Sequence, residues 1–301
     1  MFKHILVPLD GSRLAESALP AASFLAGIFQ ARITLIHLIE QRAPAAVHGQ
    51  AHLREAREAE AYLETVATRA FPSGFKVDCH VHDVAVRTVA EGIVAHATEL
   101  DHDLIVMCSH GQGGAFRLFM GSIAQRIVSM DSLPVLIIHP DEAGEAPAFA
   151  CDSLLVPLDG IHDHVLALEV ATKIARACQS SLLLAIVVHR FETLRGSRTM
   201  TSRLLPGTTS QFLEMAADEA ADYLKNLEND LLRESLPVQT RVLRGDPAAT
   251  IIETAYETPV SLIVLATHGR TGTDAFWSES VAHQICSSCR LPLLLIPLSS
   301  R

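Results

Sequence analysis

The sequence predicts a parallel α/β fold present twice in tandem. Three observations carry that reading: a hexapeptide that recurs unchanged, further matched segments at near-constant spacing, and aliphatic runs that alternate with stretches of helical periodicity. Leu6-Val7-Pro8-Leu9-Asp10-Gly11 returns as Leu155-Val156-Pro157-Leu158-Asp159-Gly160, 149 residues on. Leu104-Ile105-Val106-Met107-Cys108-Ser109-His110-Gly111 is matched by Leu262-Ile263-Val264-Leu265-Ala266-Thr267-His268-Gly269 at an offset of 158, and Leu133–Ile137 by Leu291–Leu295 at the same offset. Ordered matches of this kind mark a duplication, with nine residues inserted in the second copy.

Within the first copy, Ile5–Pro8, Ile33–Ile39, Phe75–Val81, Leu104–Cys108 and Val135–His139 are short and almost continuously apolar, as strands buried on both faces are. Helical segments lie between them. Leu14, Ala18, Ala21 and Leu25 fall on one face, as do Ile93, Ala97 and Leu100, and Ile123 with Ile127. Pro20 should kink the first of these helices. Alternation of this kind predicts, in each copy, a five-stranded parallel sheet with helices on both faces. The polar, Pro-bounded stretch Pro140–Pro147 reads as a linker, so the expected domains are residues 1–140 and 152–301.

The 301 residues give each copy room to bury its own core without a disulfide framework or structural metal. Twenty-four basic against 34 acidic side chains leave a net charge of −10, which repels nucleic-acid phosphates and anionic membrane surfaces, so neither is an expected partner. The densest apolar run, Leu182–Val188, falls far short of the roughly 20 residues that cross a bilayer. Met1–Pro8 runs straight into a strand without the order of a signal peptide, so the expected location is cytoplasmic, where the six cysteines stay thiols.

Open parallel sheets bind ligands beyond the carboxyl ends of their strands, where strand order reverses. That rule selects Asp10-Gly11-Ser12 after the first strand and Ser109–Gly114 after the fourth, leading to Gly121-Ser122 at a helix start. Free amides at such a start favour an anion. Gly111 and Gly121 leave the backbone open to phosphate oxygens, and the Ser122 hydroxyl offers one more donor. There is no Walker-type loop.

At these residues the chain resembles the universal stress protein family in its tandem form, over nearly its whole length. ATP-binding members carry G-x-x-G, nine residues, then G-[S/T] after the fourth strand. Gly111, the nine residues Gln112–Met120, and Gly121-Ser122 match, whereas Cys108 replaces the first glycine. The resemblance implies Rossmann-like, HUP-type domains and an adenine nucleotide (ATP, or AMP or ADP, with Mg²⁺ as an allowed companion). Its base and ribose would lie near Pro8, Asp10 and Leu38, beside Cys108 and His110. Its phosphates would lie on Gly111, Gly121, Ser122 and the Ile123 amide.

The second copy keeps Pro157, Asp159, His268, Gly269 and Ser280 as site candidates, but Ala266 replaces the first glycine and Glu279 the glycine before Ser280. A carboxylate there repels phosphate, so this site is expected to be degenerate for ATP, with a nucleoside or another small ligand left open. The resemblance also implies pairing about a pseudo-two-fold axis, satisfied within the tandem chain or extended to a homodimer. The apolar fifth strands, Val135–His139 and Leu293–Pro297, are the edges that invite it.

Several residues read two ways. Asp10 and Asp159 suit a ribose contact or plain turn chemistry, with the ribose preferred; His110 and His268 suit acid–base work, phosphate contact or loop support, with loop support preferred. Cys286-Ser287-Ser288-Cys289 has the C-x-x-C form but falls in a helix and turn, not after a strand, and is not expected to act in redox or metal chemistry. His80 and His82 share one strand face but lack an evident third partner, so no metal site is expected. Arg190–Gln211 reads as a basic, mobile loop. The reading is of a stress-response protein that binds adenine nucleotide mainly in its first copy. A slow ATPase, or a carrier or scaffold for a non-nucleotide ligand, is the alternative.

Overall fold

The computed structural model describes residues 1–39, 46–47, 50–51, 53–82, 88–109, 120–130, 132–140, 148–159, 165–194, 204–268 and 281–298. In the first copy the elements run β1 (His4–Pro8), α1 (Arg13–Glu16), α2 (Leu19–Phe29), β2 (Arg32–Leu38), a two-residue ladder of β3 (Ala46–Val47) with β4 (Gln50–Ala51), and α3 (Ala56–Ala70). They continue with β5 (Val77–His82), α4 (Val89–Glu99), β6 (Leu104–Cys108), α5 (Ser122–Ser129) and β7 (Val135–Ile138). The second copy repeats the plan with β8 (Ser153–Leu158), α6 (Val165–Cys178), β9 (Ser181–Val188), α7 (Pro206–Arg233), β10 (Val238–Arg244), α8 (Pro247–Glu257), β11 (Leu262–His268), α9 (Val281–Ser288) and β12 (Leu293–Leu298).

The chain forms two compact units. Among the described residues, the first holds everything up to Ala150 together with Thr267, His268 and the final strand β12, and the second holds Cys151–Ala266 with α9. Strand order in the first unit is β12-β7-β6-β1-β2-β5, and in the second β10-β9-β8-β11. Pairing is parallel throughout both except at β12, which meets β7 antiparallel with Leu293 opposite Ile137 and Leu295 opposite Val135. The apolar edge read at Val135–His139 is therefore covered by the last strand of the same chain.

Burial follows the aliphatic runs. Ile5, Leu6, Ile33, Leu35, Ile36, Leu104, Ile105 and Leu136 are all fully buried, each side chain contributing roughly 1.5–3 kcal/mol over its exposed state. The third strand departs from the expectation. Its residues run from half-buried to exposed because β5 ends the sheet, with only β2 beside it. Leu100 also departs: it is the C-cap of α4 and is exposed, while Ala90, Ile93, His96 and Ala97 form the buried face.

Pro20 breaks the first helix instead of kinking it. The chain makes one turn at α1 and restarts at α2 with Pro20 in its first turn, where a missing N–H leaves no helical bond unmade. Part of the region read as a mobile loop is also helical. Pro206 opens α7, a helix of 28 residues where α3 has 15.

At the amino end of the first unit's sheet, the Lys3 and His4 amides donate to the two oxygens of Asp103 (2.7 and 3.1 Å), tying β1 to the turn before β6. The His4 ring stacks on His102, which is buried with neither ring nitrogen hydrogen-bonded. Burial, and then the neighbouring His4 charge, push the His102 imidazole down to about 4. The folded chain thus refuses a proton that the unfolded chain accepts below 6.5, and stability falls as pH drops from that value towards 4. The loss at this residue is at most about 3 kcal/mol. Urea denaturation in EDTA-containing buffer between pH 7.5 and 4.5 should show a shallower decline for His102→Phe than for the natural protein. Parallel declines would exclude His102 as the source.

Candidate functional site

From β1 the first unit's chain builds outward through β2 to β5, then returns over α4 to lay β6 and β7 on the other side of β1. Strand order therefore reverses between β1 and β6, and the crevice opens at their carboxyl ends. The register places the parts. Ile5 faces Leu104, so Leu9 comes level with Cys108, while Pro8 faces Ile36 two residues before Leu38.

The loop after β1 is held by short-range bonds. The Leu9 amide donates to the Ile36 carbonyl at 2.8 Å. Buried His37 bonds the Leu9 carbonyl through Nδ1 at 2.8 Å and approaches the Leu53 carbonyl through Nε2 at 3.3 Å. Asp10 Oδ1 accepts from the Ser12 amide (2.9 Å) and the Ser12 hydroxyl (2.6 Å), and Ser12 Oγ caps α1 by accepting from the Ala15 amide at 3.2 Å. One oxygen of Asp10 is thus engaged in the turn chemistry its Asp-Gly-Ser sequence suggests. Behind the loop, Glu16 of α1 accepts from Tyr62 Oη at 3.0 Å and pairs with Arg69, both on α3. Burial, followed by the Glu16 charge, drives the Tyr62 phenol upward, so it stays a donor.

Across the crevice, α5 starts at Gly121 without any side-chain cap. Its first amides, those of Ser122 and Ile123 among them, precede the helical hydrogen-bond ladder and need an outside acceptor. Ser122 is exposed and Ile123 half-buried, while Ala124, Ile127 and Val128 anchor the helix in the core. Arg126 reaches back to Glu91 of α4 at 3.0 Å, fixing the helix start in place. A bare helix start of this kind suits an anionic group. Cys108 ends β6 with its side chain buried, and the next amide, of Ser109, bonds the Ile138 carbonyl at 2.8 Å. His110 and Gly111 lie outside the described residues.

In the second copy Pro157 and Asp159 take the equivalent places on β8 and just after it, and His268 ends β11. Gly269 and Ser280 lie outside the described residues. What sequence reasoning missed is the helix that walls this side. Aligned on the strands that follow, β5 and β10, residues 206–216 of α7 have no counterpart in α3, an extension of roughly 16 Å. This extension and the end of β9 line a half-open cavity of about 750 Å³ beside Asp159, with Val187, Leu194, Phe212, Leu213, Ala216 and Tyr223 among its residues. Arg244 holds the extension through Glu214 at 2.8 Å. Burial, followed by the Asp159 charge, raises the Tyr223 phenol above its ordinary range. The signal available in the sequence was the longer interval between strands.

The cysteines are free thiols. In the C-x-x-C pair both residues are buried, and burial pushes Cys286 up to about 12, far from a reactive thiolate.

Two copies of a doubly wound parallel unit, each with a crevice or cavity at the carboxyl edge, define a tandem Rossmann-like α/β protein. The universal stress protein family model matches residues 1–139 and again 151–297, and the chain belongs to that family. A universal stress protein of Mycolicibacterium smegmatis is 27% identical over 300 residues, covering 97% of this chain and 96% of its own. Universal stress protein Sll1654 of Synechocystis is 31% identical over 144 residues, 46% of this chain and 86% of the relative. Among solved structures, a universal stress protein from Archaeoglobus fulgidus superposes with a TM-score of 0.71 at 16% identity, covering 98% of each chain, a likeness of fold. Among the described residues no helix is long and apolar enough to cross a membrane.

Gly11 holds the site loop at φ +88°, and a Cβ there would come within 3.1 Å of the Leu53 side chain. Gly11→Ala should therefore destabilise the fold by about 1–2 kcal/mol in urea titration. Gly207→Ala, in the first turn of α7 with open space around it, should instead be neutral or stabilise by up to about 1 kcal/mol.

Proposed function

We propose that this is a cytoplasmic stress-response protein whose first domain, residues 1–140, binds an adenine nucleotide and uses its occupancy as a signal. The observation that carries the reading is the uncapped start of α5 at Gly121, set across the strand-order reversal from the Asp10 turn. The Ser122 hydroxyl and the amides of Ser122 and Ile123 would take phosphate oxygens, joined by the Gly111 backbone and by His110 in loop support. Pro8, Asp10 and Leu38 would face the nucleoside. Mg²⁺ would accompany the phosphates as a counter-charge.

Isothermal titration with a non-hydrolysable ATP analogue should give one site per chain. Gly121→Glu places a carboxylate against the phosphates and should weaken binding by about tenfold or more. Failure of every adenine nucleotide to bind would sink the reading.

The second domain, residues 152–301, supports a different ligand. Its cavity beside Asp159 is walled mainly by aliphatic and aromatic side chains of α7 and β9, which suits a largely apolar small molecule better than a triphosphate. Fluorescence of an apolar dye should rise on binding there. Ala216→Trp, which places an indole in the cavity, should weaken that rise without altering nucleotide binding in the first domain.

A further inference from the structure

His80 and His82 point to one side of β5, two residues apart on the sheet's last strand. The third partner that the sequence does not reveal is His96, on the buried face of α4, which crosses back over the sheet from β5. Fourteen residues and a change of element separate His82 from His96, so no local spacing announces the group.

The three rings converge. His96 Nε2 lies 2.6 Å from His82 Nδ1, and the His96 ring stands at 76° to His82 and 64° to His80, with centroids 4.4 and 4.8 Å away. One ring nitrogen from each residue lies within 4.8 Å of the other two. The remaining nitrogen of His96, Nδ1, is buried without a hydrogen bond, and the Glu99 carboxylate stands 3.9 Å from it on the next turn of the helix.

We propose that His80, His82 and His96 form a binding site for a divalent transition-metal ion of the zinc class. A tetrahedral ion with metal–nitrogen distances of about 2.0–2.1 Å needs ligand nitrogens roughly 3.3 Å apart. The present separations, from 2.6 Å between His82 and His96 up to 4.8 Å within the group, bracket that spacing. Imidazole donors favour zinc, copper or nickel over calcium or magnesium. Cys79 is directed to the opposite side of the strand by the alternation of β5 and supplies no thiolate. His80 and His82 are only half-buried, so the fourth position opens to water. Glu99 is placed to accept from His96 Nδ1 and fix the tautomer that presents Nε2 to the ion, the usual carboxylate support of a metal-bound histidine.

The site adjoins the crevice without depending on it. His82 pairs in register with Leu38, one strand from the nucleoside position proposed above.

Chelator-treated full-length protein titrated with ZnCl₂ at pH 7.5 should bind one equivalent by calorimetry. Substitution with Co²⁺ should give the intense visible bands of a four-coordinate site. Glu99→Gln should weaken zinc binding by about tenfold while keeping the Co²⁺ spectrum. The double variant His80→Gln/His82→Gln, at half-exposed positions, should lose both the equivalent and the spectrum. His96→Phe should do the same, and if it does not fold, the double variant decides. Absence of a saturable equivalent in the natural protein, or its survival in the double variant, overturns the assignment.

Discussion

Parallel pairing of β1 between β2 and β6 is the constraint on which the first unit's site depends. Once the central strand runs alongside both neighbours, all three end at one edge, and the helices that connect them must pass over the faces. The chain can then enter the sheet on only one side of β1 at a time. The reversal that leaves a crevice beside Asp10 is a consequence of that order. The local bonds of Asp10, Ser12 and His37 refine a position that strand order had already created.

The same scaffold differs in local structure between its two copies. In the first, the helix after β2's connection is short, and the carboxyl edge meets an uncapped helix start across an acidic turn. In the second, eleven extra residues of helix at 206–216 lie along the end of β9 and surround Asp159 with apolar side chains. Aspartates that begin from identical hexapeptide contexts therefore differ in surroundings: Asp10 bonds Ser12 within its own turn, and Asp159 lines a largely apolar cavity. Neighbouring length, more than the motif itself, sets the chemistry.

Legibility varied with the range of the interaction. The mostly buried strands β1, β2, β6 and β7 were readable because burial on both faces favours a largely apolar run. β5 was located, but its exposure was not foreseen, since which strand ends a sheet is a matter of order and not of composition. The first helix was legible as a helix with a fault at Pro20. That the fault becomes a break follows from Ser12 capping a separate turn ahead of it. Leu100 matched the helical period yet lies at a C-cap, where the period no longer governs burial.

By itself the sequence determined the duplication, the alternation of strand and helix, and the glycine-marked helix start after the fourth strand. All three are written in residues near one another or in exact self-repetition. Tertiary structure alone decided that β12 covers β7, that α7 lines a cavity, and that His96 joins His80 and His82. Each of these brings together residues distant along the chain, and only the path of the backbone through the sheet determines which distant residues meet.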